Sequence, residues 1–234
     1  MTEFVSIHQP NYLPWCGFFY KILKSKHFIF LDDVLVSKQS YFNRVQIFEN
    51  HKTSWLTVPT KIKLGMRINE VYPAKDNWKR SHLSKIYNAY NNSKFFKEIW
   101  KCIEEIYNIN ESASVSEINK ILIKQICNLL EIECSFFDSS KLAIDKNKIS
   151  SDRLIELVKK LNGRNYLSGN GGKNYQNINN FRNNFIELNY IKMLNLKYSQ
   201  SKNNFEPGLS IIDTLFHLGK LETYNYIKNN FLVI

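Results

Sequence analysis

The first thirty-odd residues constrain the fold most. Phe4-Val-Ser-Ile-His8 alternates as a short buried strand does, and Gln9-Pro-Asn-Tyr-Leu-Pro14 stops it with two prolines, each lacking a backbone donor. From Trp15 to Lys24, apolar residues at 15, 18, 19, 22 and 23 mark one face of a short helix. His27-Phe-Ile-Phe-Leu31 then reads as a second buried strand, ending at Asp32-Asp33. Strand, helix and strand in that order predict a parallel, right-handed β-α-β unit.

Downstream, Arg44 to Phe48 and Ser54 to Val58 flank the polar Glu49-Asn-His-Lys-Thr53, a hairpin pattern, and Ile68 to Tyr72 is expected to add a strand. From Trp78 the period becomes helical, through Leu83, Ile86, Tyr87 and Tyr90, then Phe95, Phe96, Ile99, Trp100, Ile103 and Ile106. Ser114-Val-Ser-Glu117 is a capping box ahead of a long buried helix. Cys134 to Phe137 reads as a strand, Ser151 to Leu161 as a helix ended by Asn162-Gly163, and Tyr166 to Ser168 as a strand end. Two helices, Leu209 to Leu218 and Leu221 to Phe231, meet at Gly219. The expected class is α/β, a mostly parallel sheet with flanking helices in a single domain over 1–234, with residues 78–130 as a helical insertion or cap.

The 234 residues are 44% hydrophobic, which supplies a real core and excludes disorder for most of the chain. No run approaches the roughly 18 apolar residues of a membrane span, because Ile118 to Ile132 is cut by Lys120, Lys124, Gln125 and Glu131. Met1 to His8 lacks the features of a secretion signal, so the cytoplasm is the expected location. The four cysteines form neither a disulfide framework nor a zinc pattern, and no metal site is expected. A net charge of +11 suits an anionic partner, and the basic excess is shared by both halves of the chain.

In an open α/β sheet, ligands bind beyond the carboxyl ends of the strands. His8, Gln9, Asn11 and Tyr12 lie at such an end, more polar groups than a turn requires, with His8 alternatively bonding only to backbone. Asp32 and Asp33 end the second strand and could hold Mg²⁺, accept from an amine, share a proton or cap a turn. Lys38, Asn43 and Arg44 form a phosphate-chelating cluster or a solvated loop. Residues 166–175 hold three of the eight glycines, Gly169, Gly171 and Gly172, with Ser168 before them and Lys173 after them. Such a turn brings backbone amides to an oxyanion or phosphate, although it matches neither nucleotide-binding glycine motif. Asp213, among apolar helical neighbours, is either a buried paired carboxylate or a ligand at the cleft. Cys16 reads as a packed thiol, since no neighbouring pattern supplies a base.

Taken together, Ile7-His-Gln-Pro-Asn-Tyr-Leu-Pro-Trp15, Gly17-Phe-Phe, Lys21-Ile, Phe30-Leu-Asp-Asp33, Ser37-Lys38, Asn43-Arg44, Trp55-Leu-Thr-Val-Pro59, Tyr166-Leu-Ser-Gly169, Gly172, Pro207 and Leu209-Ser-Ile-Ile-Asp213 resemble the WbqC-like protein family. The likeness runs through nearly the whole chain, and its opening motif is specific. It implies a setting in bacterial gene clusters for O-antigen and other surface polysaccharides, and modification of nucleotide-linked sugars by acyl or aminoacyl transfer to a sugar amine. Acyl-CoA, an acyl-adenylate or an aminoacyl-tRNA would be the donor. A weaker likeness, in the strand, proline turn and Gly17-Phe-Phe helix start, is to HIGH-type nucleotidyltransferases, but Trp15 and Phe18 stand where that motif has histidines.

The expected activity is therefore a transferase acting on a nucleotide-linked amino sugar. His8 or Asp33 would serve as base, the 168–172 amides as oxyanion or phosphate donors, and Gln9, Asn11, Tyr12, Trp15, Asp32, Lys38, Asn43, Arg44, Lys173 and Asp213 would line the substrate. Two rivals are a non-catalytic RNA-binding module, using Trp78, Tyr87 and Tyr90 to stack on bases, and an adenylate-forming enzyme.

Overall fold

A computed structural model describes residues 3–37, 40–49, 52–75, 77–108, 112–145, 147–200 and 205–234. In chain order the elements are β1 (Phe4–His8), α1 (Cys16–Lys24), β2 (Ser25–Phe30), β3 (Arg44–Glu49), β4 (Lys52–Thr57), α2 (Trp78–Tyr90), α3 (Phe96–Ile106), α4 (Val115–Leu129), β5 (Ser135–Asp138), α5 (Ser150–Lys160), β6 (Asn165–Ser168), α6 (Ile178–Asn183), β7 (Glu187–Met193), α7 (Ile211–Asn229) and β8 (Phe231–Val233). Six strands form one sheet in the order β5-β2-β1-β6-β7-β8, parallel except for β8, and seven helices flank it. β3 and β4 pair separately as an antiparallel hairpin. No described helix is long and apolar enough to cross a membrane.

The chain runs outward from β1 to β2 and β5, then returns past β1 to lay down β6 and β7. Its winding reverses between β1 and β6, and at such a reversal the loops leaving adjacent strands part and open a crevice. Strand alternation decides which residues face which layer. Val5 and Ile7 of β1 pack with Leu154, Leu157 and Val158 of α5 and Phe181 of α6, whereas Phe4 joins the opposite core, built on α1, α3, α4, α7 and the hairpin. Ser6 and His8 share that second face, where the His8 ring meets Phe18 of α1 edge-on at 5.0 Å.

The loop from β1 to α1 is pinned along its length. Asn119 donates its amide to the carbonyls of Pro10 and Phe42, the Tyr12 amide donates to the Tyr41 carbonyl, and Ser210 Oγ donates to Leu13 O at 2.8 Å. Leu13 is held there at φ 39°, a left-handed conformation that a branched side chain adopts only when its surroundings enforce it.

The predicted strand at Ile68 to Tyr72 is instead a single 3-10 turn, Ile68–Glu70. Glu70 folds back to accept the Arg67 amide at 2.8 Å, which favours a local turn over a ladder, and only isolated bridges, Leu35 to Arg67 and Thr60 to Pro73, flank it. At the Ser114 box, the hydroxyl does accept the Glu117 amide, but the Glu117 carboxylate turns to Lys120 at 2.8 Å. The two closing helices meet at Gly219 as expected, where φ is 74°, and are numbered together as α7. A Cβ at Gly219 would stand 2.7 Å from the Phe95 ring.

Candidate functional site

A cavity of about 980 Å³ occupies the crevice at the β1/β6 reversal. His8 from the end of β1, Gly169, Asn170, Gly171 and Lys173 from the turn after β6, and Ile191, Lys192 and Met193 from the end of β7 form its base. Asn11, Tyr12, Trp15 and the start of α1 wall one side, and Tyr41, Gly208 and Phe231 close others. Its described lining carries three lysines and a histidine and no aspartate or glutamate, so its fixed charge is of one sign. A second depression, lined by Glu3, Lys26, Arg164 and Glu187, lies at the opposite edge, among the amino ends of the strands.

His8 is locked in one form. Its Nδ1 donates to the Gln9 carbonyl at 2.9 Å, which leaves Nε2 as the lone-pair nitrogen. Burial first, and the charge of Lys21 second, push its pKa down to about 3, with the Gln9 carbonyl opposing them. Lys21 is the more unusual group. It sits on α1 among Phe18, Phe19 and Ile22, is 2% exposed, and among the described residues gives one hydrogen bond, 3.4 Å to the Ile7 carbonyl. Burial pulls its pKa down to about 7.

The turn after β6 is a short 3-10 segment, Asn170–Asn174, that lays Gly169 and Gly171 open to the cavity. Gly172 points the other way. A Cβ there would meet the Ser168 hydroxyl and the Gln176 amide, and Gln176 in turn donates to Ser168 Oγ at 2.9 Å. Ser168 and Gly172 thus shape the turn from beneath. Lys173 reaches over the cavity with its ammonium 5.0 Å from the Tyr190 ring.

Tyr12 touches the cavity from a fully buried position. His82 Nε2 donates to the Thr57 carbonyl at 3.0 Å, so its Nδ1 accepts from the Tyr12 hydroxyl at 2.8 Å, and the Tyr107 hydroxyl completes the chain by donating to Tyr12. Burial holds the His82 pKa near 4 and raises those of Tyr12 and Tyr107, so all three are neutral around pH 7. This line fixes the β1–α1 loop to the hairpin and to α2 and α3.

Several sequence candidates lie elsewhere. Gln9 contributes its carbonyl to His8 but does not line the cavity. Asp32, buried, accepts from the Ser140 amide and hydroxyl, both at 2.9 Å, and from Lys120 at 3.3 Å. Asp33 receives Arg153 Nη2 at 2.7 Å on both carboxylate oxygens and the Ser139 hydroxyl at 2.6 Å. Burial would raise the Asp33 pKa, but Ser139 and Arg153 outweigh it and hold the carboxyl below its usual range. The two aspartates thereby tie the ends of β2 and β5 to α4 and α5. Asn43 donates to Val58 O and braces the hairpin, and the Arg44 guanidinium lies over Trp55 at 4.4 Å. Lys38 lies outside the described residues. Asp213 is fully buried and accepts from Tyr90 at 2.9 Å, Tyr198 at 2.6 Å and Gln200 at 3.1 Å, with burial raising its pKa. The Cys16 thiol, beside Thr214, is pushed up to about 12 by burial.

Sequence reasoning did not single out Lys21 or Lys192 as site residues. Lys192 lies in β7, a strand that periodicity did not reveal. Lys21 did carry a signal, a lysine one helical turn from Phe18 on an apolar face, with no acid in reach along its helix.

The fold and the cavity define a doubly wound α/β protein with an electropositive cleft at its switch point. The family model of the WbqC-like protein family matches residues 9–224, and the chain belongs to that family. It is 28% identical over 227 residues to a protein described as "Uncharacterized protein Rv1507c" of Mycobacterium tuberculosis, a match covering 96% of this chain and 97% of the relative. No solved structure matches at a significant level.

Proposed function

We propose that this chain is a transferase of surface-polysaccharide synthesis, and that its cavity takes a nucleotide-linked amino sugar whose amine receives an acyl or aminoacyl group. The observation that carries this reading is the acid-free, lysine-lined cavity at the switch point, a site suited to a diphosphate. The polysaccharide setting is what the resemblance to the WbqC-like family implies.

In such a transfer the amine nitrogen attacks the acyl carbonyl carbon, and the tetrahedral oxyanion collapses with loss of the thiolate, adenylate or ribose oxygen of the donor. The leaving group departs with the proton the amine gives up. Neutral His8, with Nε2 unprotonated, accepts a hydrogen bond from the amine and orients its lone pair. Its low basicity suits this role better than holding the proton. The Asn11 amide and the backbone amides of 169–171 supply donors for the oxyanion or the phosphates. Asp33, engaged by Arg153, leaves the reacting amine to His8.

The RNA-binding reading loses two of its three stacking rings, because Trp78 and Tyr90 are buried, while Tyr87 stays exposed and packs edge-on against Phe96 and Trp100 at 5.4 and 5.3 Å. Thermal-shift screening of nucleotide sugars, coenzyme A and ATP tests the proposal, since a ligand at 100 times its dissociation constant adds about 2.7 kcal/mol to native stability. A nucleotide amino sugar should give the largest shift. A shift with ATP and none with any nucleotide sugar would transfer the cavity to adenylate chemistry.

A further inference from the structure

Among the described residues, Lys21 is a buried cation without a counter-ion. Its ammonium has three protons to donate and one acceptor, the Ile7 carbonyl at 3.4 Å. The rings of Phe18 and Phe28 lie 6.0 and 5.8 Å away, and the described lining of the cavity holds no acidic side chain. The elements packed on α1 bring titratable groups in quantity: His8 from β1, Lys26 and His27 from β2, Glu187, Tyr190 and Lys192 from β7, and from α7 Asp213, His217, Lys220, Glu222, Tyr224, Tyr226 and Lys228. On α1 itself stand Cys16, Tyr20 and Lys24, and Lys173 joins from the glycine turn. None of the acids offsets the burial of Lys21, and its own charge lowers the basicity of neighbouring His8. A buried ammonium in this state is costly unless something brings it an anion.

We propose that Lys21 is the anion-recognition residue of the cavity floor, that a phosphoryl oxygen of the ligand is its missing counter-charge, and that binding is coupled to uptake of a proton at Nζ. The inference rests on the reading of the cavity as a diphosphate site and adds what holds the anion and how protons follow it. In the free protein Lys21 has a pKa of about 7 and is in part uncharged at neutral pH. A phosphoryl anion against Nζ favours the charged form, so the anion and the proton bind together. His8, with a pKa near 3, contributes nothing to proton uptake around neutrality.

The test uses isothermal titration calorimetry on the full chain with two anions that have no proton equilibrium of their own from about pH 6 to 8.5, sulfate and UDP-glucose. Heats are measured in buffers of differing ionisation enthalpy. The expected results are uptake of up to one proton near pH 8 and affinity for both anions falling by roughly tenfold from pH 7 to 8.5. Lys21→Met should lose at least about tenfold in affinity at pH 6.5 together with the pH slope, and Lys21→Arg, always charged, should bind with no slope. Circular dichroism and melting confirm that each variant is folded. If Lys21→Met does not fold, the proton uptake of the wild-type chain decides alone.

Binding of either anion without proton uptake, a Lys21→Met variant that keeps the slope, or no binding of either anion would overturn the proposal. The two arms also separate it from the transferase reading. Proton-coupled sulfate binding with no nucleotide sugar bound leaves Lys21 as an anion receptor and removes the sugar substrate. UDP-glucose bound without proton uptake keeps the substrate class and rejects the role of Lys21.

Discussion

Lys21 and His8 share one corner of the cavity, where the Lys21 ammonium bonds the Ile7 carbonyl at 3.4 Å and its charge lowers the basicity of the next residue along the strand. Protonation of either therefore opposes protonation of the other, and the pair holds at most one positive charge near neutrality.

This pair predicts an unusual stability profile. The pKa of Lys21 is about 7 in the fold against an ordinary 10.5, so between those values the unfolded chain binds more protons and stability rises with pH. Below about pH 7 the full cost of the buried charge is present. Lys21→Met should raise the denaturant midpoint at pH 6, by about 1 to 3 kcal/mol, and flatten the rise above pH 7. Equal midpoints for the two proteins at pH 6 would show that Lys21 is not buried as a charge.

His8→Ala should cut turnover by roughly a hundredfold through loss of amine orientation while leaving the chain folded, since the loop it belongs to is fixed by other contacts, from Asn119, Tyr12 and Ser210. The histidines also set an acid limit. His8 and His82, near 3 and 4 in the fold against 6.5, make stability fall as pH drops from about 6.5 toward 4, because the unfolded chain takes up protons that the fold excludes. His8→Asn should weaken that slope. Loss of folding in His8→Ala, measured by circular dichroism, would make His8 a structural residue.

Asp33→Asn strands Arg153, which is then left with less than its share of acceptors beneath the sheet edge. The variant should lose about 1 to 3 kcal/mol in urea unfolding and keep its affinity for nucleotide sugars. Because Asp33 titrates below its ordinary value, the wild-type advantage should be present at neutral pH and vanish as pH falls through that lowered pKa. A stable Asp33→Asn that no longer binds or turns over substrate would put Asp33 at the reacting centre.

Arg44 and Lys173 should separate cleanly in kinetics. Lys173 lines the cavity, and Lys173→Ala should raise KM for the nucleotide sugar more than it lowers kcat, as a remote phosphate contact does. Arg44 lies on Trp55, so Arg44→Ala should leave KM unchanged and cost at most about 1 kcal/mol of stability. A raised KM for Arg44→Ala would extend the ligand site onto the hairpin.

How much of this was legible follows from how far each signal reaches along the chain. β1, α1 and β2 declare themselves through apolar spacing and prolines, local features that tertiary contacts did not override, and the hairpin and α4 did the same. β7 and β8 were not read, because Glu187–Met193 mixes exposed and buried positions with no clean alternation, and β8 is three residues that pair with β7 only once the chain has returned. At the site, the crowding of polar groups after β1 and the glycines after β6 pointed to loops that do line the cavity. Asp32 and Asp33 end a strand as expected, yet their destination was set by Lys120 and Arg153, 88 and 120 positions away, and no local pattern carries such partners. Lys21 was legible only as an anomaly, a cation on an apolar helical face.

The central claim, that the switch-point cavity takes a nucleotide-linked amino sugar, is tested most directly by a crystal structure of the chain with a UDP-linked amino sugar. The diphosphate should lie between the Gly169–Lys173 turn and Lys21, with the sugar amine within hydrogen-bond reach of His8 Nε2. A nucleotide sugar seated instead in the depression among Glu3, Lys26 and Arg164, or a cavity that stays empty at saturating ligand, would contradict it.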